Sequence, residues 1–257
     1  MGRKKFERRI IRTRNRIEKR GQKMAFNAIK QQYKQVFDMV GTYSPKFILD
    51  NIKVSEEPIK EFMVKYYPMF AEIGLMYRDE AFSQKDAESD FYENVFMEQL
   101  RHFALTQTGA KVTSITETTE RFIRGAIESA IQQGTEEGLG IDKISRLVRS
   151  NLQDSLGDIG RSRSRMIAQT EMITGSNQAS QEGIGSTGLP YRKFWSNSGL
   201  TNIRDSHVFA QDNYPNGIGE NERFDMGNGN TMLHVGDPNG PAEEVINCRC
   251  TTLYEVI

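Results

Sequence analysis

Apolar residues recur at helical spacing from the beginning of the chain to about residue 182. In the first segment, Phe6, Ile10, Ile17 and Met24 are separated by four or seven positions, as on one face of a helix. Basic residues predominate between them. The pattern therefore predicts a basic N-terminal helix with a thin apolar stripe.

A succession of amphipathic helical segments follows. They are 29–40, 44–52, 55–73 with a bend at Pro68, 89–107, 116–133, 141–152 and 161–182. Ser44 before Pro45 is typical of a helix start, because serine caps the first turn and proline fits the first helical position. We expect Gly134 and Gly183 to end the helices before them, and 154–160 to form a loop.

After Gly183 the pattern changes to short apolar groups separated by Gly, Asn, Asp and Pro. The groups are 191–195, 208–209, 232–235, 245–246 and 253–257. Such groups predict small strands and ordered loops, and 237–241 carries a strong turn signal. The predicted fold class is α+β, with a long helical N-terminal body followed by a small loop-rich β-containing C-terminal domain.

These changes of pattern divide the chain into four consecutive regions. They are a basic helical arm (1–40), a helical region (41–110), a second helical region (111–183) and a C-terminal cap (184–257). No window approaches the roughly 18 apolar residues that a membrane span needs. The N-terminal segment lacks the apolar core of a secretory signal, so two cysteines indicate a reducing compartment.

The net charge of zero conceals a strong asymmetry. Residues 1–40 contain thirteen Lys and Arg against three acids, a balance of +10, so the remaining residues sum to −10. One end of the chain is therefore expected to meet a polyanion or an acidic protein surface, while the body is not.

The basic segment has three interpretations, which are a nucleic-acid arm, a membrane-surface helix and a solvated helix on an acidic partner. Its apolar stripe is narrow and lacks Trp, which disfavours the membrane surface. Arginine pairs bidentately with phosphate, so DNA and an acidic protein both stay open. The cations expected to make the contacts are Arg3, Lys4, Lys5, Arg8, Arg9, Arg12, Arg14, Arg16, Lys19 and Arg20.

The two cysteines of the sequence, Cys248 and Cys250, lie one residue apart near its end. A disulfide across so small a ring is far from the relaxed geometry, which places the Cα atoms about 5.5 Å apart. Two thiolates can bind one soft metal ion if imidazoles or carboxylates arrive from elsewhere. The alternative is that both are small, buried apolar residues at a strand end.

A series of short motifs occurs in one order over 161–257. It comprises Arg165-Met-Ile-Ala-Gln-Thr-Glu171, Asn177, Lys193-Phe-Trp195, Arg204-Asp-Ser-His207, Phe224, Gly236-Asp-Pro238 and Asn247-Cys-Arg-Cys250. Each motif alone is weak, but the ordered set resembles the phage Mu F-like minor head protein family, also called head morphogenesis proteins. One departure is Gln169, where the family usually has Arg.

This resemblance implies a minor capsid protein of a tailed bacteriophage, made in the host cytoplasm and present inside the phage head near the portal vertex. It implies a role in head assembly and in genome packaging or delivery, with portal and head proteins and packaged DNA as partners. It implies no enzymatic activity.

Five motif residues are expected to have structural roles, namely Glu171, Trp195, Arg204, Asp237 and Arg249. We expect Trp195 in the core and Glu171 and Arg204 in internal ion pairs. Arg249 is expected to point away from both cysteines and to pair with an acid such as Glu171.

His207, Cys248 and Cys250 are the best candidate ligands for a structural zinc ion, with Asp205 or Asp212 as the fourth. Such an ion stabilises a loop-rich cap that has little core. The competing interpretation is that His207 only makes hydrogen bonds and both thiols are buried and reduced. The sequence favours this second interpretation, because Cys-x-Cys is a poor chelating pair.

The functional alternative is a metal-dependent hydrolase or nuclease with His207 as base beside the Cys248 and Cys250 metal site. That chemistry needs an open coordination position and converging carboxylates. The acids around His207 are scattered in the sequence, which disfavours it. His234 is a second imidazole candidate, outside the family pattern.

Overall fold

The computed structural model describes residues 3–85, 90–197 and 201–257, and its fold is α+β, as the sequence predicts. The helices are α1 (Arg3–Phe37), α2 (Pro45–Asn51), α3 (Glu57–Tyr66), α4 (Ala71–Lys85), α5 (Asp90–Glu136), α6 (Ile141–Ser155), α7 (Arg161–Gly185), α8 (Asp205–Asn213) and α9 (Ala242–Val245). The strands are β1 (Tyr191–Ser196), β2 (Ile218–Gly219), β3 (Phe224–Asp225), β4 (Thr231–Met232) and β5 (Thr251–Val256).

Two compact units are assembled from segments that are distant in the sequence. The first unit comprises Met1–Gly21, Tyr66–Thr106 and Met166–Ile257. The second unit comprises Gln22–Lys65 and Gln107–Arg165. This division differs from the four consecutive regions that the sequence predicts, because α1, α5 and α7 each contribute residues to both units.

The N-terminal part of α1 belongs to the core of the first unit. Phe6, Ile10 and Ile17 are buried, which confirms these three positions of the predicted apolar stripe, whereas Met24, in the second unit, is half-buried. The Phe6 ring packs edge-on against Tyr77 of α4, with ring centroids 4.9 Å apart. This part of α1 is thus a packed element of the unit and not an appended tail.

The sheet of the first unit has the order β2-β1-β5, and its neighbouring strands are antiparallel. Tyr191 pairs with Val256 at one end of the β1–β5 ladder, and Trp195 pairs with Thr252 near the other. Along β1, Tyr191, Lys193 and Trp195 are buried, as alternation on a half-covered sheet requires. Strands β3 and β4 form a separate two-stranded ladder.

The second unit is helical, and polar side chains fix the ends of its elements. Ser44 caps α2, because its hydroxyl accepts a hydrogen bond from the backbone N–H of Phe47, as the sequence predicts. Arg124 of α5 donates to the carbonyl groups of Leu49 and Ile52, which α2 leaves unpaired at its C-terminal end.

Helix boundaries differ from the sequence prediction at several glycines. Helix α5 is continuous from Asp90 to Glu136, with Gly134 inside it, where two helices were predicted (Ser89 lies outside the described residues). Predicted loop 154–160 is helical instead, because a π-helical turn at Leu156–Gly160 joins α6 to α7. Gly183 lies inside α7, where it allows the close approach of another backbone.

The predicted strand at 208–209 was wrong, since both residues lie in α8. The prediction at 245–246 was wrong for the same reason, since Val245 ends α9. These helices are too short to show a helical period in the sequence. The apolar pairs at 208–209 and 245–246 therefore resembled short strands. Among the described residues, no helix has the length and apolar character that crossing a membrane requires.

Candidate functional site

His207, Cys248 and Cys250 come together in the first unit. His207 lies in α8, and both cysteines precede β5. The Nδ1 atom of His207 is 3.6 Å from the Cys248 sulfur and 3.4 Å from the Cys250 sulfur. The three possible ligand atoms lie within 4.8 Å of one another, and all three side chains are at most 2% exposed.

Local contacts bring the start of α8 to the cysteine segment. Arg204, just before α8, donates a 2.6 Å hydrogen bond to the carbonyl of Ile246. Asn247 adopts a left-handed conformation, with φ of 59°, which turns the chain into Cys248. Gln169 of α7 donates to the side-chain oxygen of Asn247 at 2.8 Å and to the carbonyl of Cys248 at 3.4 Å.

A buried carboxylate orients the imidazole. His207 Nε2 lies 2.9 Å from Glu244 Oε2, and both side chains are buried. Other donors hold the same carboxylate, namely Ser206 Oγ, Asn228 Nδ2 and Asn230 Nδ2. Burial opposes ionisation of Glu244, but these hydrogen bonds and His207 outweigh it and lower its pKa. In the tautomer with its proton on Nε2, His207 donates a hydrogen bond to the carboxylate, and the lone pair of Nδ1 faces the two sulfurs.

The two thiols are strongly inequivalent. The hydrogen bond between them lowers the pKa of Cys248 against the effect of burial, and His207 adds to this lowering. The backbone N–H of Cys250 also donates to the Cys248 sulfur at 3.4 Å. The same thiol–thiol hydrogen bond, together with burial, raises the pKa of Cys250. Cys248 therefore has the lower pKa of the two thiols and loses its proton more readily than Cys250.

Trp195 and Asn197 complete the surroundings of the cluster. The Trp195 and His207 rings meet edge to face, with centroids 5.0 Å apart. Asn197 donates from Nδ2 to the carbonyl of His207 at 3.3 Å, which leaves Oδ1 facing Cys250. The Cys250 sulfur lies 3.2 Å from that oxygen.

A pocket of about 250 Å³ lies beside the cluster. Its described lining consists of Thr201, Asn202, Ile203, Arg204, His207, Asn247, Cys248, Arg249 and Cys250. This lining contains two guanidinium groups and no carboxylate. The described lining therefore offers no carboxylate as a general acid or base beside His207, although both thiols lie in it.

The predicted fourth ligands do not join this cluster. Asp205 and Asp212 are exposed, and the metal-ligand group of the described residues contains neither. His234 is buried elsewhere, where its nitrogens lie 2.9 Å from Val235 O and from Gln178 Oε1. Burial lowers the pKa of His234. Glu244 and Asn197 were not predicted from the sequence, because no local motif marks an acid or an amide that only the fold brings to His207.

The remaining motif residues make structural contacts. Trp195 is buried in the core, as predicted. Glu171 accepts a 2.6 Å hydrogen bond from Tyr67, whereas Arg204 binds a carbonyl group and not the expected acid. Arg249 pairs with Glu18 at 3.6 Å, and not with Glu171.

Asp237 organises the turn that the sequence predicts at 237–241. Its Oδ2 accepts 2.8 Å hydrogen bonds from the Arg223 side chain and the backbone of Leu233. Its Oδ1 accepts a hydrogen bond from the backbone of Asn239. Asp237 is therefore a structural residue of the loop.

The exposed cations in the part of α1 that belongs to the first unit form one surface, called here the cation stripe. It consists of Lys5, Arg8, Arg9, Arg12, Arg16, Lys19 and Arg20. At 3.6 residues per turn these positions fall within about 120° of helix circumference and span about 22 Å. Arg16 also pairs with Glu72. The side chains of Arg3 and Lys4 lie outside the described set.

Arg14 does not belong to the stripe, which corrects the sequence prediction. It points into the unit and is 3% exposed, because it lies on the same face as the apolar residues of α1. Its guanidinium donates to Thr251 of β5 and Asn177 of α7. Burial lowers its pKa.

Comparison with known proteins adds no relative. No family model matches this chain, and neither a curated protein nor a solved structure matches it.

Proposed function

We propose that this chain is a minor head protein of a tailed bacteriophage, located inside the head near the portal vertex. In this proposal it acts in head assembly and in genome packaging or delivery, and its cation stripe contacts DNA. The observation that carries the proposal is the stripe itself, because it is a row of exposed cations on a helix whose opposite face is buried.

The geometry of the stripe supports DNA as its partner. Duplex DNA carries one negative charge per roughly 1.7 Å of helix axis, so a rigid row of about 22 Å meets several phosphates at once. The acids of this segment, Glu7 and Glu18, lie off the stripe, at half-buried and buried positions. An acidic protein surface is the competing partner and is an outcome of the experiment below.

The motif series supports the head-protein part of the proposal. Its residues Glu171, Trp195 and Asp237 are all buried in the first unit. A resemblance that rests on core and turn residues is a resemblance of architecture. It therefore favours a shared structural role over a shared reaction.

The hydrolase alternative has less support. Both ring nitrogens of His207 are engaged, Nε2 with Glu244 and Nδ1 with the two sulfurs, so neither is free to act as a base. The described lining of the adjacent pocket also lacks a carboxylate. A structural protein that handles DNA without cutting it is the function we propose.

Charge reversal on the stripe tests this proposal. The variant Arg8→Glu/Arg9→Glu/Arg12→Glu changes exposed residues and preserves the buried face of α1. Glutamate forms helices about as readily as arginine, so α1 is expected to remain folded. The matched control, Lys53→Glu/Lys143→Glu/Arg146→Glu, makes the same charge change at exposed cations of the second unit.

Binding is measured by fluorescence anisotropy with a duplex DNA, after circular dichroism has established that each variant is folded. We expect the wild type and the control to bind, and the stripe variant to bind at least about tenfold more weakly. Equal DNA binding by all three proteins overturns the DNA assignment. If only the stripe variant loses binding to purified portal protein, the acidic partner replaces DNA.

A plasmid incubated with the protein, Mg²⁺ and Zn²⁺ separates the two functional classes. We expect the plasmid to stay intact. Cleavage that disappears in the His207→Gln variant would restore the hydrolase.

A further inference from the structure

The buried cluster of His207, Cys248 and Cys250 has the composition and the spacing of a metal site. We infer that it binds one Zn²⁺ ion, which ties α8 to the β1–β5 ladder. The inference rests on this geometry alone and does not depend on the proposed function.

The distances match a tetrahedral ion. With Zn–S of about 2.3 Å and Zn–N of about 2.0–2.1 Å, the sulfur-to-nitrogen edge of a tetrahedron is about 3.5–3.6 Å. The two observed edges from His207 Nδ1 are 3.4 and 3.6 Å. The short Cys-x-Cys spacing is therefore no obstacle, because both sulfurs already face the same nitrogen.

The imidazole is arranged as metal-bound histidines are. A ligating histidine generally donates its second ring N–H to a carboxylate, which fixes the tautomer and increases the basicity of the ligand. Glu244 holds His207 Nε2 in this way at 2.9 Å. Three other donors fix the carboxylate in turn, so the arrangement is rigid.

The fourth ligand position of the tetrahedron faces Asn197. Its Oδ1 lies 3.2 Å from the Cys250 sulfur, and its Nδ2 is committed to the carbonyl of His207. Amide oxygen is a weaker zinc ligand than carboxylate, so Asn197 or a water molecule completes the tetrahedron. In either case the site is buried, as is typical of a structural ion.

The donor set selects the ion. Two thiolates and an imidazole suit zinc and other soft or borderline metals, and disfavour magnesium and calcium, which prefer oxygen. Binding requires that both thiols lose their protons, and the ion supplies the charge that holds two thiolates together in a buried site.

The test is elemental analysis of the reduced wild-type protein, purified without added metal. We expect about one zinc ion per chain. Cys250→Ser and His207→Gln are expected to lose it. His102→Gln is the matched control, because His102 is exposed and lies in the same unit.

Glu244→Gln separates a positioning role from a ligand role. Replacing such a partner typically costs about 10–100-fold in metal affinity without abolishing binding. We therefore expect Glu244→Gln to retain zinc at high concentration and to release it to a chelator sooner than the wild type.

Because variants at buried positions can fail to fold, the wild type is also titrated with Co²⁺ after zinc removal. We expect thiolate-to-cobalt charge-transfer absorption, tetrahedral d–d bands and quenching of Trp195 fluorescence, since Trp195 contacts the ligand His207. A folded wild type with sub-stoichiometric metal and no such absorption overturns the inference. A measured mass two hydrogens below that of the reduced chain overturns the inference as well, since it indicates a Cys248–Cys250 disulfide.

Discussion

The Arg14 guanidinium donates a 2.9 Å hydrogen bond to Asn177 Oδ1, which also accepts a 2.9 Å hydrogen bond from the backbone of Thr252. One amide oxygen thus joins α1, α7 and β5. Because this contact is buried, the N-terminal segment cannot be removed without opening the first unit. If the segment is deleted, a loss of binding cannot be told apart from a loss of folding. Charge reversal on the cation stripe avoids this problem, because it changes exposed side chains only.

Arg14→Ala is expected to destabilise the protein by about 2–5 kcal/mol, because it leaves a cavity and removes hydrogen bonds at the same site. Arg12→Ala is the control, since Arg12 is exposed on the same helix. We expect a change within about 0.5 kcal/mol for the control. Urea unfolding measures both. Equal stability of the two variants would contradict the packed position of Arg14.

Gly183 and Gly125 are expected to respond oppositely to the same substitution. A Cβ atom at Gly183 of α7 would collide with the carbonyl group of Gly74 in α4, whereas a Cβ at Gly125 of α5 meets nothing within 4 Å. Gly183→Ala should therefore cost at least about 2 kcal/mol. Gly125→Ala should stabilise by about 0.5–1 kcal/mol, because alanine is the better helix former.

Thermal unfolding of both variants provides the measurement. A higher Tm for Gly183→Ala than for the wild type would mean that α4 and α7 are not in backbone contact. The comparison is well matched, because both glycines lie inside helices.

These glycines also show where the sequence was informative and where it was not. The apolar stripe of Phe6, Ile10 and Ile17 was predicted correctly, because helical spacing sustained over many residues is characteristic of an amphipathic helix. Gly183 was predicted to end a helix, which is its commonest role, but here packing against Gly74 requires it. Local patterns do not contain that information, because it depends on another helix.

The residues of the candidate site also fall into two groups, those that the sequence predicted and those that it did not. His207, Cys248 and Cys250 were identified from the sequence, because their chemistry is distinctive. Glu244 and Asn197 were not, because an acid or an amide in a loop is common and only the fold brings them to His207. Arg14 was grouped with the exposed cations, since charge alone does not show which side of α1 it occupies.

Lys193 is expected to make stability rise with pH between about 8 and 10. Its ammonium group is fully buried and donates to the carbonyls of Glu222 and Leu233. Burial lowers its pKa from the usual 10.5 to about 8. Within this window the unfolded chain binds more protons than the folded chain, so raising the pH favours folding.

The measurement is urea unfolding at pH 7.5 and at pH 9.5, two values on either side of the folded-state pKa of about 8, with Lys193→Met for comparison. The neutral amine keeps two N–H groups, so both carbonyls stay satisfied at the higher pH. We expect a larger pH-dependent gain in the wild type than in Lys193→Met, because the lowered pKa of Cys248 contributes a gain to both proteins. A wild-type stability that falls across this range would contradict a buried lysine.

DNA binding by the stripe is expected to weaken steeply with salt. Each neutralised phosphate contributes about −0.9 to the slope of log K against log salt concentration. If five of the stripe cations contact phosphates, the slope is about −4.5. Single substitutions such as Arg12→Gln should make it shallower by about 0.9 each. A salt-independent affinity would rule out phosphate contacts.

The location of the chain tests most directly whether it is a structural component of a phage head. Phage particles and precursor heads are purified from a lysate of the strain that encodes the chain, and their proteins are identified by mass spectrometry. We predict that the chain is present in both, in far fewer copies than the major capsid protein, and that it remains with the portal when heads are disrupted. Its absence from particles and precursor heads that contain portal protein would contradict the account.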